Sequence, residues 1–259
     1  MPDSARTAIL EGLRARLNQA QPRPAAGLAP YGMEVLRGTG EGPKLASGRV
    51  HEIMPNRPGH GAALGFLVRC LAGIQMKDPR PLLWVSDWRN RIDDGRLYAP
   101  GLAQAGLDPD RLILVRTRRE KDTLWVLEEA LGSGALAAVA GSVRELELTP
   151  SRRLSLATER TGTPLFLLRP HDTTGATAAE TRWQVSPLPS TRDPFDAYAP
   201  GNAAWRLDLI RNRSGAPACW DVACKGEEDD TQDALDLAAG SGHRALATDT
   251  EGRQARHTG

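Results

Sequence analysis

Apolar runs of strand length alternate with stretches of helical period through most of this chain. The first run is RVHEIM at 49–54, followed by a tight loop with Pro55, Pro58, Gly59 and Gly61, and then by an apolar run over 62–72 that is long enough for a helix. PLLWVS at 81–86 reads as the next strand, 97–105 as a helix, and LILV at 112–115 as another strand. Residues 122–131 are helical, with Leu124, Val126, Leu127 and Leu131 as the apolar positions. ALAAVA at 135–140 is a strand of small residues between Gly134 and Gly141, and a polar helix over 150–160 leads into PLFLL at 164–168. Strands that are apolar throughout and separated by helices predict a mostly parallel sheet covered on both faces.

The rhythm then changes. TRWQVSP at 181–187 and WRLDLIRNR at 205–213 alternate with period two, as half-exposed antiparallel strands do, and 218–222 is their partner across the Ser214-Gly215 turn. The parallel core is therefore expected to end in an antiparallel extension. Ahead of it, 5–19 carries Ile9, Leu10, Leu13 and Leu17 at helical spacing behind Ser4 as N-cap. The proline-rich QPRPAAGLAP sets that helix apart as an arm. Four segments follow: an amphipathic helix over 1–20, a linker over 21–47, an α/β core over 48–224 and a tail over 225–259.

Charge and composition change this picture in two places. Lys and Arg number 33 against 32 Asp and Glu, a formal net charge of +1, which announces neither a nucleic-acid nor a membrane surface. The tail holds four basic residues against eight acidic ones, a net of −4 that leaves +5 on the rest. Lacking aromatics and rich in Gly, Ala, Asp and Thr, the tail reads as disordered, with 233–239 as a stretch able to form a helix on a partner. Three cysteines, Cys70, Cys219 and Cys224, are an odd set in a chain without an apolar leader, which fits a reduced cytoplasmic compartment. No apolar run approaches the roughly 18 residues of a membrane span.

A strand, glycine loop and helix in this order mark the place of a phosphate-binding P-loop, whose chemistry needs a Lys for the phosphates and a Ser/Thr for Mg²⁺. Neither follows Pro58, Gly59 and His60; Gly61 and Ala62 stand there instead. The five histidines show no metal-ligand spacing with Cys, Asp or Glu, and strand alternation puts His51 and Glu52 on opposite faces. No metal and no cofactor are expected. Asp108, Asp110 and Arg111 read as a solvated connection.

GRVHEI with GHGAALGF, PLLWVSD, ERTGTPLFLLRP, TRWQVSPLPS and WRLDLIRNRSGAPACW resemble the ImuA family of damage-inducible mutagenesis proteins, from about Ile9 to Cys224. The resemblance implies a RecA-like core with an antiparallel edge and an N-terminal helix on a linker. On the RecA pattern, Gly61 takes the Lys position, Ala62 the Ser/Thr position, Trp88 the place of the water-polarising Glu, with Asp87 one residue away, and Gly141 that of the Mg²⁺-supporting Asp. Each lost charge-assisted hydrogen bond is worth roughly 1.5–3 kcal/mol. The resemblance thus implies a non-catalytic adaptor in translesion synthesis.

Its implied partners are ImuB, an inactive relative of Y-family polymerases, and through it an error-prone polymerase and the sliding clamp. Ile9, Leu13 and Leu17 are candidates for docking on RecA or on a second copy. Trp183, Trp205 and Trp220 on the antiparallel edge are candidates for a partner surface, since tryptophan is enriched in interface hot spots. Trp84 and Trp125 read as core. RecA's two DNA loops would fall after Gly141 and between Leu168 and Trp183; neither stretch has a stacking aromatic. Arg89, Arg91, Arg118, Arg119, Arg152 and Arg153 are the candidate DNA contacts. The rival readings are an active RecA-like ATPase or DNA-binding recombination factor, and a RecA-fold inhibitor of cell division.

Overall fold

The computed structural model describes residues 12, 33–34, 44–58, 61–87, 96–190, 201–213, 215–224 and 236–237. Its centre is a sheet in which β3 (Val50–Pro55), β4 (Leu82–Asp87), β5 (Leu112–Thr117), β6 (Ala138–Ser142), β7 (Leu165–Leu168) and β8 (Thr181–Leu188) run parallel in the order β8-β3-β7-β6-β4-β5. Beyond β8, β9 (Ala204–Asn212) and β10 (Ala218–Ala223) continue the sheet antiparallel. A short antiparallel pair, β1 (Met33–Glu34) with β2 (Lys44–Leu45), stands outside it. This is the mostly parallel, helix-flanked sheet with an antiparallel extension that the alternation of runs predicts.

Two apolar layers hold the sheet. On one face, α1 (Gly61–Lys77) buries Ala63, Phe66, Leu67, Cys70 and Leu71 against Ile53, Phe166 and Trp183, and α2 (Ala99–Gln104) adds Leu102. On the other, α3 (Glu120–Ser133) and α4 (Leu148–Thr161) bury Val126, Leu127, Leu131 and Leu154 against Val50, Val85, Val139 and Leu167. Both helices end on a left-handed glycine, Gly134 at φ 63° and Gly162 at φ 73°. A side chain there would be strained, so the chain turns sharply back into β6 and β7.

The elements differ from the sequence reading mostly at their ends. Residues 135–137 lead into β6 rather than forming it, with the Ala137 amide donating to Pro81 O at 3.0 Å. The larger difference is in the tail. Asp236–Leu237, inside the stretch expected to be disordered or to fold as a helix, form a strand, β11, paired antiparallel with Val222 and Ala223. The edge amides and carbonyls of β10 supply a hydrogen-bonding template there, which outweighs local helix preference.

Candidate functional site

Strand β3 and helix α1 stand on either side of the loop, and the first turn of α1 lacks P-loop chemistry. Helix α1 opens with Gly61, Ala62 and Ala63, so its first turn presents no cation and no hydroxyl. Gly61 is exposed, and a Cβ built on it meets nothing within 4 Å; Ala62 is half-buried against the core. Pro58 is exposed, while Gly59 and His60 lie outside the described residues. Further along α1, Gly65 is a packing position: a Cβ there would come within 2.9 Å of the Trp205 indole. At the end of β6, Gly141 is close-packed in the same sense, since its Cβ would meet Leu127 side-chain atoms at 3.0 and 3.2 Å. A carboxylate could replace neither glycine without displacing a core side chain. Asp87 ends β4 and is buried, and Trp88 lies outside the described residues.

The three tryptophans expected on a partner surface are core residues. Trp183 is fully buried, and Trp205 and Trp220 are 7% and 5% exposed. Period-two alternation does place them on one face with Val185, Leu207, Leu209 and Val222, but α1 covers that face. The Trp183 ring lies 5.9 Å from both Phe66 and Trp220, centroid to centroid, and Trp205 presses on Gly65. The opposite face of the extension carries Arg206, paired with Asp221 at 2.7 Å, and Ile210, 40% exposed.

His51 sits in the same core with both ring nitrogens engaged. Nε2 donates to Ala46 O at 2.9 Å, so Nδ1 is the acceptor and takes the Thr181 hydroxyl proton at 2.8 Å; Trp183 Nε1 donates in turn to Thr181 Oγ1 at 2.9 Å. The ring stacks on Phe166, and burial pushes its pKa down to about 4. It is a neutral core histidine. Burial also pushes the Cys70 thiol well above its ordinary range, which keeps it inert.

Sequence reasoning missed the polar centre on the other face. Glu52, fully buried in the middle of β3, accepts from Arg182 Nε at 2.7 Å and from Thr177 Oγ1 at 3.2 Å, and faces Arg169 Nε at 3.6 Å. Arg169 donates onward to Val143 O at 2.9 Å, and Arg182 to Gly175 O at 3.2 Å. One carboxylate thus ties the segment after β6 and the segment between β7 and β8 to the sheet. These are the stretches expected to correspond to RecA's two DNA loops. They are also joined to α4, where Ser151 Oγ accepts the Ala178 amide at 2.8 Å. One signal was available, a charged residue inside an apolar strand; the arginine opposite it comes only with the β3–β8 register, Glu52 against Arg182.

Above this network, α4 and the Ala178 segment enclose an open cleft of about 290 Å³ lined by Leu148, Arg152, Ser155, Leu156, Ala178 and Arg213. Arg152 therefore lines a cleft, whereas Arg153 points to Glu128 on α3, 2.5 Å away. Arg118 and Arg119 are exposed in the turn from β5 to α3 and do not line the cleft. Of the described candidate arginines, Arg152 alone lines the cleft. Arg89, Arg91, Ile9, Leu13 and Leu17 lie outside the described residues.

The comparisons bear on what such a body belongs to. Over 204 residues, 73% of this chain and 80% of the relative, the sequence is 32% identical to Protein ImuA of Caulobacter vibrioides, with the same values for the protein from a second strain. The chain belongs to the ImuA family. No family model matches the chain. Among solved structures, the RadB recombinase aligns over 76% of this ImuA-family chain and 93% of its own, with a TM-score of 0.49 and 12% identity. SulA from Pseudomonas aeruginosa aligns over 47% and 97%, with a TM-score of 0.39 and 20% identity. Among the described residues there is no group of three or more His, Cys, Asp or Glu able to hold a metal, and no helix long and apolar enough to cross a membrane.

Proposed function

We propose that this chain is a non-catalytic RecA-like adaptor of a damage-inducible mutagenesis complex, working in the cytoplasm. Its partner is an ImuB-type relative of Y-family polymerases, and through it an error-prone polymerase and the sliding clamp. The N-terminal helix, with Ile9, Leu13 and Leu17, serves RecA docking or self-association. Family membership supports the accessory role. The observation that carries the non-catalytic reading is the start of α1, where Gly61, Ala62 and Ala63 occupy the turn that would grip phosphate and metal. Phosphoryl transfer is positioning plus charge stabilisation, so a site without that cation and metal ligand has little left to catalyse with.

The backbone amides at the α1 N-terminus remain able to touch an anion weakly, as helix N-termini do. Equilibrium dialysis of the purified chain against MgATP tests the reading. The expected result is no saturable binding in the micromolar range and no phosphate release. Saturable micromolar binding would favour the rival RecA-like ATPase instead.

A further inference from the structure

The cleft over α4 has a composition unlike that of a solvated helix face. Leu148 and Leu156, 38% and 66% exposed, lie eight residues apart in one helical row, about 12 Å along the axis, with Arg152 between them. Ala178 and Arg213 form the facing wall. Among the described residues, neither Arg152 nor Arg213 pairs with a carboxylate. The wall is also built rather than loose. Ser151 Oγ holds the Ala178 amide at 2.8 Å, Arg213 donates to Ala178 O at 3.4 Å and its amide to Glu180 O at 3.0 Å, and the buried Glu52–Arg182 pair lies under Thr177. Two cations face a ligand that also has to cover leucine.

Two of this chain's own segments, 5–19 and 225–235, are poor occupants. The sequence over 5–19 carries Arg6, Arg14 and Arg16 against Glu11, so it shares the sign of the cleft. The described residues on either side of the acidic stretch 225–235 lie at the wrong end of the extension. Cys224 donates its amide to Ala203 O and Leu237 returns to Val222, whereas Arg213 follows the opposite end of β9. Running the nine residues of β9 out and back takes roughly 60 Å, and eleven extended residues span at most about 40 Å. Single-stranded nucleic acid fits less well than protein, because the lining offers no aromatic on which a base could stack and puts leucines where phosphates would pass.

We infer that the cleft between α4 and the Ala178 segment docks an acidic, leucine- or isoleucine-bearing segment of the Y-family-like partner, apolar side chains against Leu148 and Leu156 and carboxylates toward Arg152 and Arg213. This rests on the adaptor reading and adds the surface and the partner chemistry to it. The test is a titration of the full chain with the purified ImuB-type protein, using wild type, Leu156→Asp, Arg152→Glu and Arg152→Lys, with Leu114→Asp at the far sheet edge as the control. Leu156 and Arg152 are exposed, so circular dichroism and melting temperature should match wild type.

The expected result is at least tenfold weaker binding for Leu156→Asp and Arg152→Glu, near-wild-type affinity for Arg152→Lys and Leu114→Asp, and a smaller salt dependence for Arg152→Glu. Unchanged affinity in both cleft variants would overturn the cleft while leaving the adaptor reading in place. Absence of any wild-type binding would sink the adaptor reading, and the cleft proposal with it. Loss of single-stranded oligonucleotide binding in the cleft variants, with partner binding intact, would reassign the cleft to nucleic acid and overturn the proposal.

Discussion

The two faces of the central strand β3 are treated in opposite ways. Toward α1, the turn that opens the helix is glycine and alanine, and the helix behind it packs mainly apolar side chains on the sheet. Toward α4, the same strand buries a full carboxylate, Glu52, between two arginines, one of the costlier arrangements a core can contain. Catalytic P-loop proteins concentrate their charge at the loop. Here the charge lies under the segments that flank the cleft, where it fixes shape instead of meeting phosphate.

The largest expected effect comes from removing the carboxylate. Glu52→Ala leaves Arg169 and Arg182 buried without their counter-charge, and should cost about 3–5 kcal/mol in denaturant unfolding. Replacing all three charges by apolar residues of similar volume should recover most of that loss. If Glu52→Ala alone proved neutral, the contrast between the two regions would collapse. Trp183→Ala removes the largest fully buried side chain and should cost a comparable 3–5 kcal/mol, roughly, by thermal or chemical melting. A loss below about 1 kcal/mol would mean that Trp183 is available to a partner after all.

His51 gives a pH signature. Its folded pKa near 4 lies below the usual 6.5, so the folded state prefers the neutral ring. Stability from this group is complete above about pH 6.5 and is lost as pH falls toward 4; the full difference is on the order of 3 kcal/mol. Stability measured between pH 7 and 4 should fall accordingly, and His51→Gln should flatten that part of the profile.

Smaller effects sharpen the comparison from the loop side. Gly141→Asp, which restores the expected carboxylate, should cost about 1–3 kcal/mol because its Cβ meets Leu127 at 3.0 Å. Gly61→Lys with Ala62→Thr should change stability by only about 0.5 kcal/mol, since a Cβ at Gly61 meets open space, and should not restore hydrolysis. Breaking the exposed Arg153–Glu128 pair should cost less than about 1 kcal/mol.

Much of this architecture is legible from the chain, because a strand covered on both faces has to be apolar throughout and a half-covered one has to alternate. PLLWVS, PLFLL and TRWQVSP therefore announce themselves. The absence of a P-loop Lys and Ser/Thr is equally plain, since Gly61 and Ala62 stand at those positions. Alternation also groups Trp183, Trp205 and Trp220, but it cannot tell which face of the sheet α1 will cover, and that choice turns an expected surface into core. The Glu52 network escapes for a different reason. Its members are 117 and 130 positions apart, and only the parallel register of β3 with β7 and β8 brings them together. The cleft is hidden likewise, because Arg152 and Arg213 become neighbours only once α4 lies beside the end of β9.

The most direct test of the central claim is a calorimetric titration of the full chain with the ImuB-type protein, run with and without MgATP. The account predicts saturable binding with the same affinity in both runs and no heat from MgATP alone. Binding that appears only with MgATP, or a saturable micromolar response to the nucleotide itself, would contradict it.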